Sequence, residues 1–295
     1  MKQSIIPFAL AALMLTACSH DENPDTNNPV AATFTAGINL TRASVSTWDA
    51  GDAIGIYMLD AGTTDIAQAA DNRRYTTPAA DGQFDPATAA ETIYFPTDVS
   101  RKVDFIAYYP QQASLATGHI YKADVATQTT PAAIDLLYSN NVAGKDKLNP
   151  SVALEFGHRL SRIEANITAG TGFTPADLAD LTITLSAQPL KADFAVLTGQ
   201  LTLGTETGTI TLNTATTGLT ASAIILPQAE RTGRTLTFVL KNGTTFTWNV
   251  EADRTFEAGK KTVFNITLAR TGVEVTSSIQ PWGTQGTVNG DADIQ

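Results

Sequence analysis

The sequence predicts an all-β protein built from β-sandwiches, and three observations carry that prediction. The chain of 295 residues contains 45 threonines, and threonine is a β-branched residue that suits the solvent face of a strand. Only 16% of the residues are charged while 43% are apolar, which is enough for a packed core and excludes a disordered chain. Many short apolar segments alternate with turn residues, a pattern typical of sandwiches.

The first 17 residues have the composition of an export signal. Lys2 supplies the positive charge, and residues 5–15 form an apolar run shorter than the ~20 residues that cross a bilayer. The run ends in Leu15, two small residues and Cys18, a sequence similar to the lipobox of bacterial lipoproteins. We therefore expect cleavage before Cys18 and attachment of lipid to it. Cys18 is the only cysteine, so no intrachain disulfide can form.

Residues 18–31 are expected to form a disordered tether between the lipid and the folded part. Ser19 follows the cysteine, which by resemblance to lipoprotein sorting rules favours the outer membrane. The cluster of His20, Asp21 and Glu22 resembles a surface-export signal, with an ordinary solvated linker as the alternative. Residues 23–29, NPDTNNP, have turn and linker composition.

The clearest strand pattern lies in residues 32–40, where apolar residues alternate with Thr, Gly and Asn. The alternation predicts a strand that fills a sandwich edge, with an inward face of Ala32, Phe34, Ala36, Ile38 and Leu40. One short helical segment is predicted after Thr174 and Pro175. Further strands are predicted at 54–59, 92–95, 103–109, 134–138, 152–156, 163–168, 181–185, 200–203, 209–212, 223–226, 236–240, 246–250, 263–268 and 273–279, with a hairpin turn at Asn242-Gly243.

A polar, turn-like stretch at residues 145–150, KDKLNP, predicts a domain boundary near the middle of the chain. We expect one sandwich domain over residues 32–150 and a second over 151–285, followed by a polar tail at 286–295. The two halves show no sequence repeat.

Composition and motif searches argue against nucleic-acid binding and against catalysis. The net charge of −10 disfavours nucleic-acid binding, which needs a basic surface. No serine-hydrolase or zinc-protease motif is present, and His20, His119 and His158 are far apart in sequence. We therefore expect no catalytic residues, no cofactor and no metal site. His158 is interpreted as a core-edge histidine bonded to a backbone carbonyl, and the carboxylates of Asp49 and Asp52 as parts of a turn that enters a strand.

Five segments, in order along the chain, resemble motifs of the fimbrillin family. They are Trp48-Asp49-Ala50-Gly51-Asp52-Ala53-Ile54-Gly55-Ile56-Tyr57-Met58, Phe105-Ile106-Ala107-Tyr108-Tyr109-Pro110, Asp135-Leu136-Leu137-Tyr138-Ser139, the segment LEFGHRLSRI at 154–163, and Ile279-Gln280-Pro281-Trp282. Each motif is weak alone, but the ordered set is specific. Together with the lipobox, the set spans residues 15–282.

The resemblance implies a type V pilus subunit with two sandwich domains of transthyretin-like topology. It implies export as an outer-membrane lipoprotein to the cell surface, trimming by an arginine-specific protease, and head-to-tail assembly with other pilus subunits. In the family, trimming removes the anchor and the first strand, and a strand of the next subunit fills the open groove. The resemblance leaves open whether this chain is a stalk, tip or anchor subunit, and which terminal segment donates the strand.

Arg42 is the predicted cleavage site, with Ala43 as the new first residue. It is the only Lys or Arg between Cys18 and the rest of the fold, and small residues follow it. Cleavage there would turn the strand carrying Phe34, Ile38 and Leu40 into a replaceable ligand. The alternative is an ordinary arginine at a strand end in a subunit that is not cut.

A second function class is a surface lipoprotein that binds glycans and does not polymerise. Trp48, Trp248 and Trp282 could serve as sugar platforms in such a protein, which would present them to a host glycan or protein receptor. Core packing is the competing interpretation, because Trp248 alternates with Phe246 and Val250 on one strand face.

Overall fold

A computed structural model describes residues 28–38, 48–229 and 231–282. Within these ranges the protein is almost entirely β, which confirms the predicted class. Helical structure is limited to α1 (Pro131–Ile134) and two short 3₁₀ segments, Ala89–Glu91 and Pro175–Leu178. No helix in the described part of the chain is both long enough and apolar enough to span a membrane.

The strands that build the first half are β1 to β8. They are β1 (Thr33–Ile38), β2 (Ala53–Asp60), β3 (Arg73–Thr76), β4 (Gln83–Pro86), β5 (Val103–Tyr109), β6 (Ile120–Asp124), β7 (Leu137–Lys145) and β8 (Ser151–His158). All of them except β6 close into one barrel, in the order β1-β4-β3-β2-β5-β7-β8. The ring of strands is closed because β1 bonds to both β4 and β8.

The remaining strands form three further sheets. They are β9 (Ser161–Ala169), β10 (Thr182–Pro189), β11 (Lys191–Ala195), β12 (Gln200–Leu203), β13 (Thr207–Thr211), β14 (Asn213–Thr214), β15 (Thr220–Ile225), β16 (Thr235–Val239), β17 (Thr245–Asn249), β18 (Lys260–Ala269) and β19 (Gly272–Pro281). The sheet orders are β13-β10-β16-β17, β12-β11-β6 and β14-β15-β9-β18-β19. The transthyretin-like, tandem-sandwich arrangement stays a prediction.

Two clusters of buried side chains form the core, and strands of the barrel contribute side chains to both clusters. Ile54, Ile56 and Met58 of β2 point into the barrel, whereas Tyr57 and Leu59 of the same strand belong to the second cluster. This division follows from the two-residue period of a strand, which sends neighbouring side chains to opposite faces. The outer wall of the barrel is therefore packed against the rest of the protein.

The predicted boundary at residue 150 falls between two neighbouring strands of the barrel. β7 ends at Lys145, β8 begins at Ser151, and Leu137 of β7 pairs with His158 of β8. The polar stretch between them is thus a connection within one sheet. β6 in turn leaves the barrel and pairs with β11. The division of the chain into two domains stays a prediction.

Several local predictions agree with the structure, and two differ from it. The Asn242-Gly243 turn joins β16 and β17, which pair antiparallel. Thr174 caps the 3₁₀ segment that Pro175 begins. The predicted strand at 134–138 instead starts with the end of α1, and the one at 92–95 is a single bridge between Tyr94 and Ala31.

Candidate functional site: the first strand and its groove

The first strand, β1, lies inside the barrel sheet and not at an edge. It pairs parallel with β8 over six residue pairs, from Thr33 with Ser151 to Ile38 with Phe156. On its other side it pairs antiparallel with β4, where Phe34 lies opposite Phe84. The expectation of an edge position was therefore wrong. A strand bonded along both sides closes the barrel, and its removal would leave two unpaired strand edges facing a gap.

The inward face of β1 matches the predicted alternation. Ala32, Phe34 and Ala36 are buried, and Ile38 is half-buried against the barrel core. The Phe34 ring packs edge-on against Tyr75, with 4.8 Å between ring centroids, and against Phe105 at 5.4 Å. Burying a side chain of this size stabilises the fold by about 1.5–3 kcal/mol. Phe34 is therefore the main apolar anchor of the strand.

The indole of Trp48 holds β1 from outside the strand ladder. Its Nε1–H donates to the carbonyl oxygen of Ala36 at 2.7 Å, and the ring is buried. Phe84, Tyr109 and Phe156 surround that ring edge-on, at centroid distances of 5.1–5.5 Å. Trp48 thus packs into the barrel and is not a sugar platform.

Two neighbouring residues at the start of β4, Gly82 and Gln83, also form hydrogen bonds to the backbone of β1. The Gln83 side chain donates from Nε2 to the Phe34 carbonyl at 3.0 Å, and the Gly82 carbonyl accepts from Ala36 N–H at 2.8 Å. Gly82 has a φ of +82°, and a Cβ at this position would lie 2.9 Å from the Ala36 oxygen. The close approach of β1 at this point therefore requires glycine.

The buried Tyr75, the half-buried Tyr109 and a turn make part of the groove wall. Tyr75 accepts a hydrogen bond from Ile93 N–H at 2.9 Å, and burial raises the pKa of Tyr75 to about 12, so the hydroxyl stays neutral. Ile93 in turn accepts from the N–H of Ala32 at 2.9 Å. Tyr109 donates to Asp52 Oδ1 at 3.0 Å, and Asp52 Oδ2 accepts from Asp49 N–H at 2.8 Å. The Asp49–Asp52 segment is thus a turn that enters β2, as predicted.

The predicted site residues divide between described and undescribed parts of the chain. Phe34 and Ile38 lie in β1 as stated above. Leu40, Arg42, Ala43 and the lipid-attachment residue Cys18 lie outside the described residues. The sequence did not identify Trp48, Gly82 and Gln83 as partners of β1. For Gly82 and Gln83, the only available signal was the turn composition before β4. For Trp48 there was no signal, because its indole bonds Ala36, which is 12 residues away along the chain.

The other two tryptophans and His158 form no open site. His158 stacks on Trp282, with 4.0 Å between ring centroids and 4° between planes, and both residues are largely buried. Its Nδ1 lies 2.9 Å from Asp135 Oδ1, so its partner is a carboxylate and not the backbone carbonyl that we expected. Trp248 is half-buried, with its ring edge-on to Phe264 at 5.7 Å. Among the described residues no three His, Cys, Asp or Glu side chains come together as a metal site.

Comparison with known proteins gives concordant matches. Residues 41–282 match the model of a family described as fimbrillin-like. A candidate fimbrium subunit of Bacteroides uniformis, Fim1C, is 43% identical over 309 residues, which cover 99% of each chain.

Two solved structures are similar as well. One is a candidate cell adhesion protein of the same organism, with a TM-score of 0.78 and 42% identity over 86% of this chain and 99% of that chain. A second, from Bacteroides ovatus, has a TM-score of 0.72 at 20% identity, covers 88% and 100% of the two chains, and supports the fold alone.

Proposed function

The chain belongs to the fimbrillin-like family, and on this premise we propose that it is a fimbrial subunit assembled by exchange of its first strand. Membership makes it a structural protein of surface fimbriae and not an enzyme, and implies assembly with other pilus subunits. The finer steps are proposed: lipid attachment at Cys18, transport to the outer membrane and cleavage after Arg42. An arginine-specific protease and other subunits are the partners that these steps require.

The observation that carries the proposal is the position of β1. The strand is bonded along both edges, its apolar face is buried, and its covalent link to Trp48 runs through residues 39–47, which include Arg42. A cut after Arg42 would leave it held by noncovalent contacts alone. A strand from a neighbouring subunit with the same alternation could then occupy the groove by β-augmentation. Such a contact is head-to-tail and does not close on itself, so it builds a filament.

The lipid anchor is tested separately from strand exchange. Cys18→Ala should abolish lipid labelling and release or mislocalise the precursor. Unchanged lipid labelling in this variant would contradict the proposed attachment site.

Assembly is tested with purified precursor that carries Cys18→Ala. Treatment with an arginine-specific protease should remove the residues up to 42 and give oligomer ladders in gels and in size-exclusion chromatography. The matched variant with Arg42→Ala should stay monomeric under the same treatment. Cleavage first at another site, or cleavage after Arg42 with no oligomers even when other pilus subunits are added, would contradict the proposal.

The alternative of an unpolymerised glycan-binding lipoprotein loses its tryptophan platforms, because Trp48 and Trp282 are buried. Glycan binding that disappears on mutation of the half-buried Trp248, in a protein that never oligomerises, would favour the alternative.

A further inference from the structure

The end of the barrel at which β1 begins exposes several large apolar side chains. Leu148 is 66% exposed, Tyr94 46% and Val99 39%. Among the described residues only two other large apolar side chains are exposed to this degree, and they lie on separate strands: Leu203 on β12 and Ile279 on β19. Single exposed apolar residues are ordinary, but several at one end of a fold indicate a contact surface.

Tyr94 and Leu148 lie on segments that flank the first residues of β1. Ala31, two residues before the strand, forms an antiparallel bridge with Tyr94. Thr33, the first residue of the strand, donates from N–H to the carbonyl of Pro150 at 3.0 Å, and Leu148 lies two residues before that proline. The two exposed side chains therefore belong to segments on either side of the entering chain.

A buried carboxylate holds the loop of Val99 beside the loop of Leu148. The Lys102 ammonium, three residues after Val99, bonds the Asp146 carboxylate. The same carboxylate accepts from the N–H of Leu148 at 2.9 Å through Oδ1. Val99 and Leu148 thus lie on two loops that are fixed to each other.

Other charged groups of these loops also have partners inside the protein. Arg101 Nη2 lies 2.5 Å from Asp60 Oδ1. The Asp104 carboxylate accepts from the N–H of Gly62 at 2.7 Å and from the N–H of Gly144 at 2.8 Å. Because these charges are already satisfied, they give an outside ion little to bind, and the contact that this end offers is mainly apolar.

The chain that leads to the proposed lipid anchor enters the fold at this same end, which argues for a membrane as the partner. Phe95 donates from N–H to the carbonyl of Val30 at 2.9 Å, so the entering chain runs along the segment that carries the exposed tyrosine. Ten peptide steps join Cys18 to Asn28, which keeps the two residues within about 36 Å of each other. Lipid on Cys18 would therefore hold a bilayer near the exposed side chains at a high effective concentration.

The side-chain types suit the boundary between lipid headgroups and acyl chains. Tyrosine combines an apolar ring with a polar hydroxyl and is enriched at that boundary. Leu148 and Val99 can bury apolar area there, while the stems of Arg101 and Lys102 lie alongside with their charged groups in water. A stable protein interface buries about 800 Å² on each partner, and the apolar area of three partly exposed side chains is a small part of that.

We propose that this end of the barrel, defined by Tyr94, Val99 and Leu148, rests on the bilayer surface in the anchored precursor. The inference rests on the proposed lipid attachment at Cys18, because three side chains bind a membrane weakly without a tether.

The proposed orientation has a consequence for processing. β1 runs away from the membrane-facing end, and five residue steps place Ile38 about 17 Å from Thr33. The segment that contains Arg42 therefore begins on the side of the barrel that faces away from the bilayer, where a soluble protease has access.

The test couples the protein to vesicles chemically and does not rely on lipid attachment in the cell. Protein that begins at Cys18, the only cysteine, is joined through its thiol to maleimide lipid in phosphatidylcholine vesicles. Leu148→Trp places a fluorescent reporter at the membrane-facing end, and Leu203→Trp is the matched control at an exposed leucine on β12. The signal of the native tryptophans is subtracted with the wild-type protein.

Lipid with brominated acyl chains quenches a tryptophan that enters the bilayer. The added emission of Leu148→Trp should fall by about half in brominated vesicles, while that of Leu203→Trp should stay unchanged. No quenching of Leu148→Trp, or equal quenching of both reporters, would overturn the proposal. Either result leaves the separate lipid-labelling test of Cys18→Ala unaffected, so the two proposals fail independently.

A second substitution tests whether the apolar surface causes the contact. Val99→Asp in the Leu148→Trp protein should lower the quenching about twofold, because it places a charge at the bilayer boundary. Ile279→Asp in the same protein is the control and should leave the quenching unchanged. If Val99→Asp lowers the melting temperature, Val99→Ser replaces it. Unchanged quenching in the folded Val99 variant would contradict the surface, as would self-association of uncoupled protein that Leu148→Asp abolishes, since this would assign the end to a protein partner.

Discussion

β1 and β9 occupy corresponding positions in the two halves of the molecule. Each lies between an antiparallel neighbour and a parallel neighbour: β4 and β8 flank β1, and β15 and β18 flank β9. Each turns an alternating apolar face inward, with Phe34 at the centre of one and Ile163, Ala165 and Ile167 along the other. The same arrangement is thus used twice.

The two strands differ in how they are attached. β9 follows β8 after only two residues, and its outer face is linked to β18 by side chains. Lys261 Nζ lies 2.9 Å from Glu164 Oε2, and Asn166 donates to Asn265 Oδ1 at 3.0 Å. β1 contains no charged residue between Thr33 and Ile38, and the side chains of Trp48 and Gln83 bond only its backbone carbonyls.

The difference supports the proposed exchange of β1. Backbone bonds and an alternating apolar face are generic, so another strand with the same alternation can supply them. The charged and amide links of β9 depend on its own side chains. We infer that the β9 position is built for permanence and the β1 position for exchange.

The largest expected effect comes from truncating the apolar anchor of β1. Phe34→Ala should destabilise the intact protein by about 3–5 kcal/mol, measured by urea denaturation, because it removes buried ring area and leaves a cavity. Thr35→Ala on the exposed face should change the stability by less than about 0.5 kcal/mol.

Phe34→Ala also tests how firmly β1 is held once its covalent link to the rest of the chain is cut. After cleavage at Arg42, Phe34→Ala should release β1, whereas Ile163→Ala should leave β9 in place at a cost of about 2–5 kcal/mol. Equal retention of β1 in the cut wild type and the cut Phe34→Ala protein would show that the Phe34 ring does not hold β1 in its groove.

Gly82 tests the close approach of β4 to β1. Gly82→Ala should cost about 2–4 kcal/mol, since it combines a left-handed φ with a Cβ only 2.9 Å from the Ala36 oxygen. Gly51→Ala is the matched control, because Gly51 also has a positive φ of +92° but nothing within 4 Å of the added Cβ. Equal losses in the two variants would show that backbone strain alone acts at Gly82.

The indole bond to β1 is expected to have a smaller effect. Trp48→Phe keeps an aromatic ring but leaves the Ala36 carbonyl without this donor, which should lower the free energy of unfolding by about 1–2 kcal/mol. The smaller ring also buries less apolar area, which adds to the loss. Trp248→Phe is the control. We expect a faster loss of β1 from the cut Trp48→Phe protein, followed by mass spectrometry, and no change with Trp248→Phe.

The smallest effect concerns the ion pair that distinguishes β9. Glu164→Gln should cost about 1 kcal/mol in low salt and less in high salt, because Glu164 remains partly exposed. The rate of β1 release should change little with salt, since no ion pair links β1 to its neighbours within the described part of the chain. Salt-dependent release of β1 would argue that charge, and not apolar fit, holds it.

Sequence patterns predicted the strand β1 but not the strands with which it pairs. The alternation in residues 32–40 predicted the inward face of β1, because a period of two is a local property. Closure of the barrel was not predictable, since the parallel pairing joins Thr33 to Ser151 across most of the first half. Short strands such as β3, with the sequence RRYT, were missed because their pairing depends on neighbours and not on alternation.

In the candidate site, too, contacts between segments that are distant along the chain were not predictable from local sequence patterns. The family motif drew attention to Trp48, but not to its bond with Ala36, because that bond needs the chain to return beside β1. Polar stretches were also ambiguous, and residues 145–150 proved to connect two strands of one sheet.

If the groove around β1 accepts any strand with the same alternation, a peptide with that alternation should replace β1. Protein cut after Arg42 is incubated with a fluorescent peptide of residues 31–42, or with the same peptide carrying Phe34→Asp. We predict that the first peptide displaces β1 and remains bound through gel filtration, while the second does not. Failure of the wild-type peptide to enter, or equal binding of both peptides, would contradict exchange at this groove.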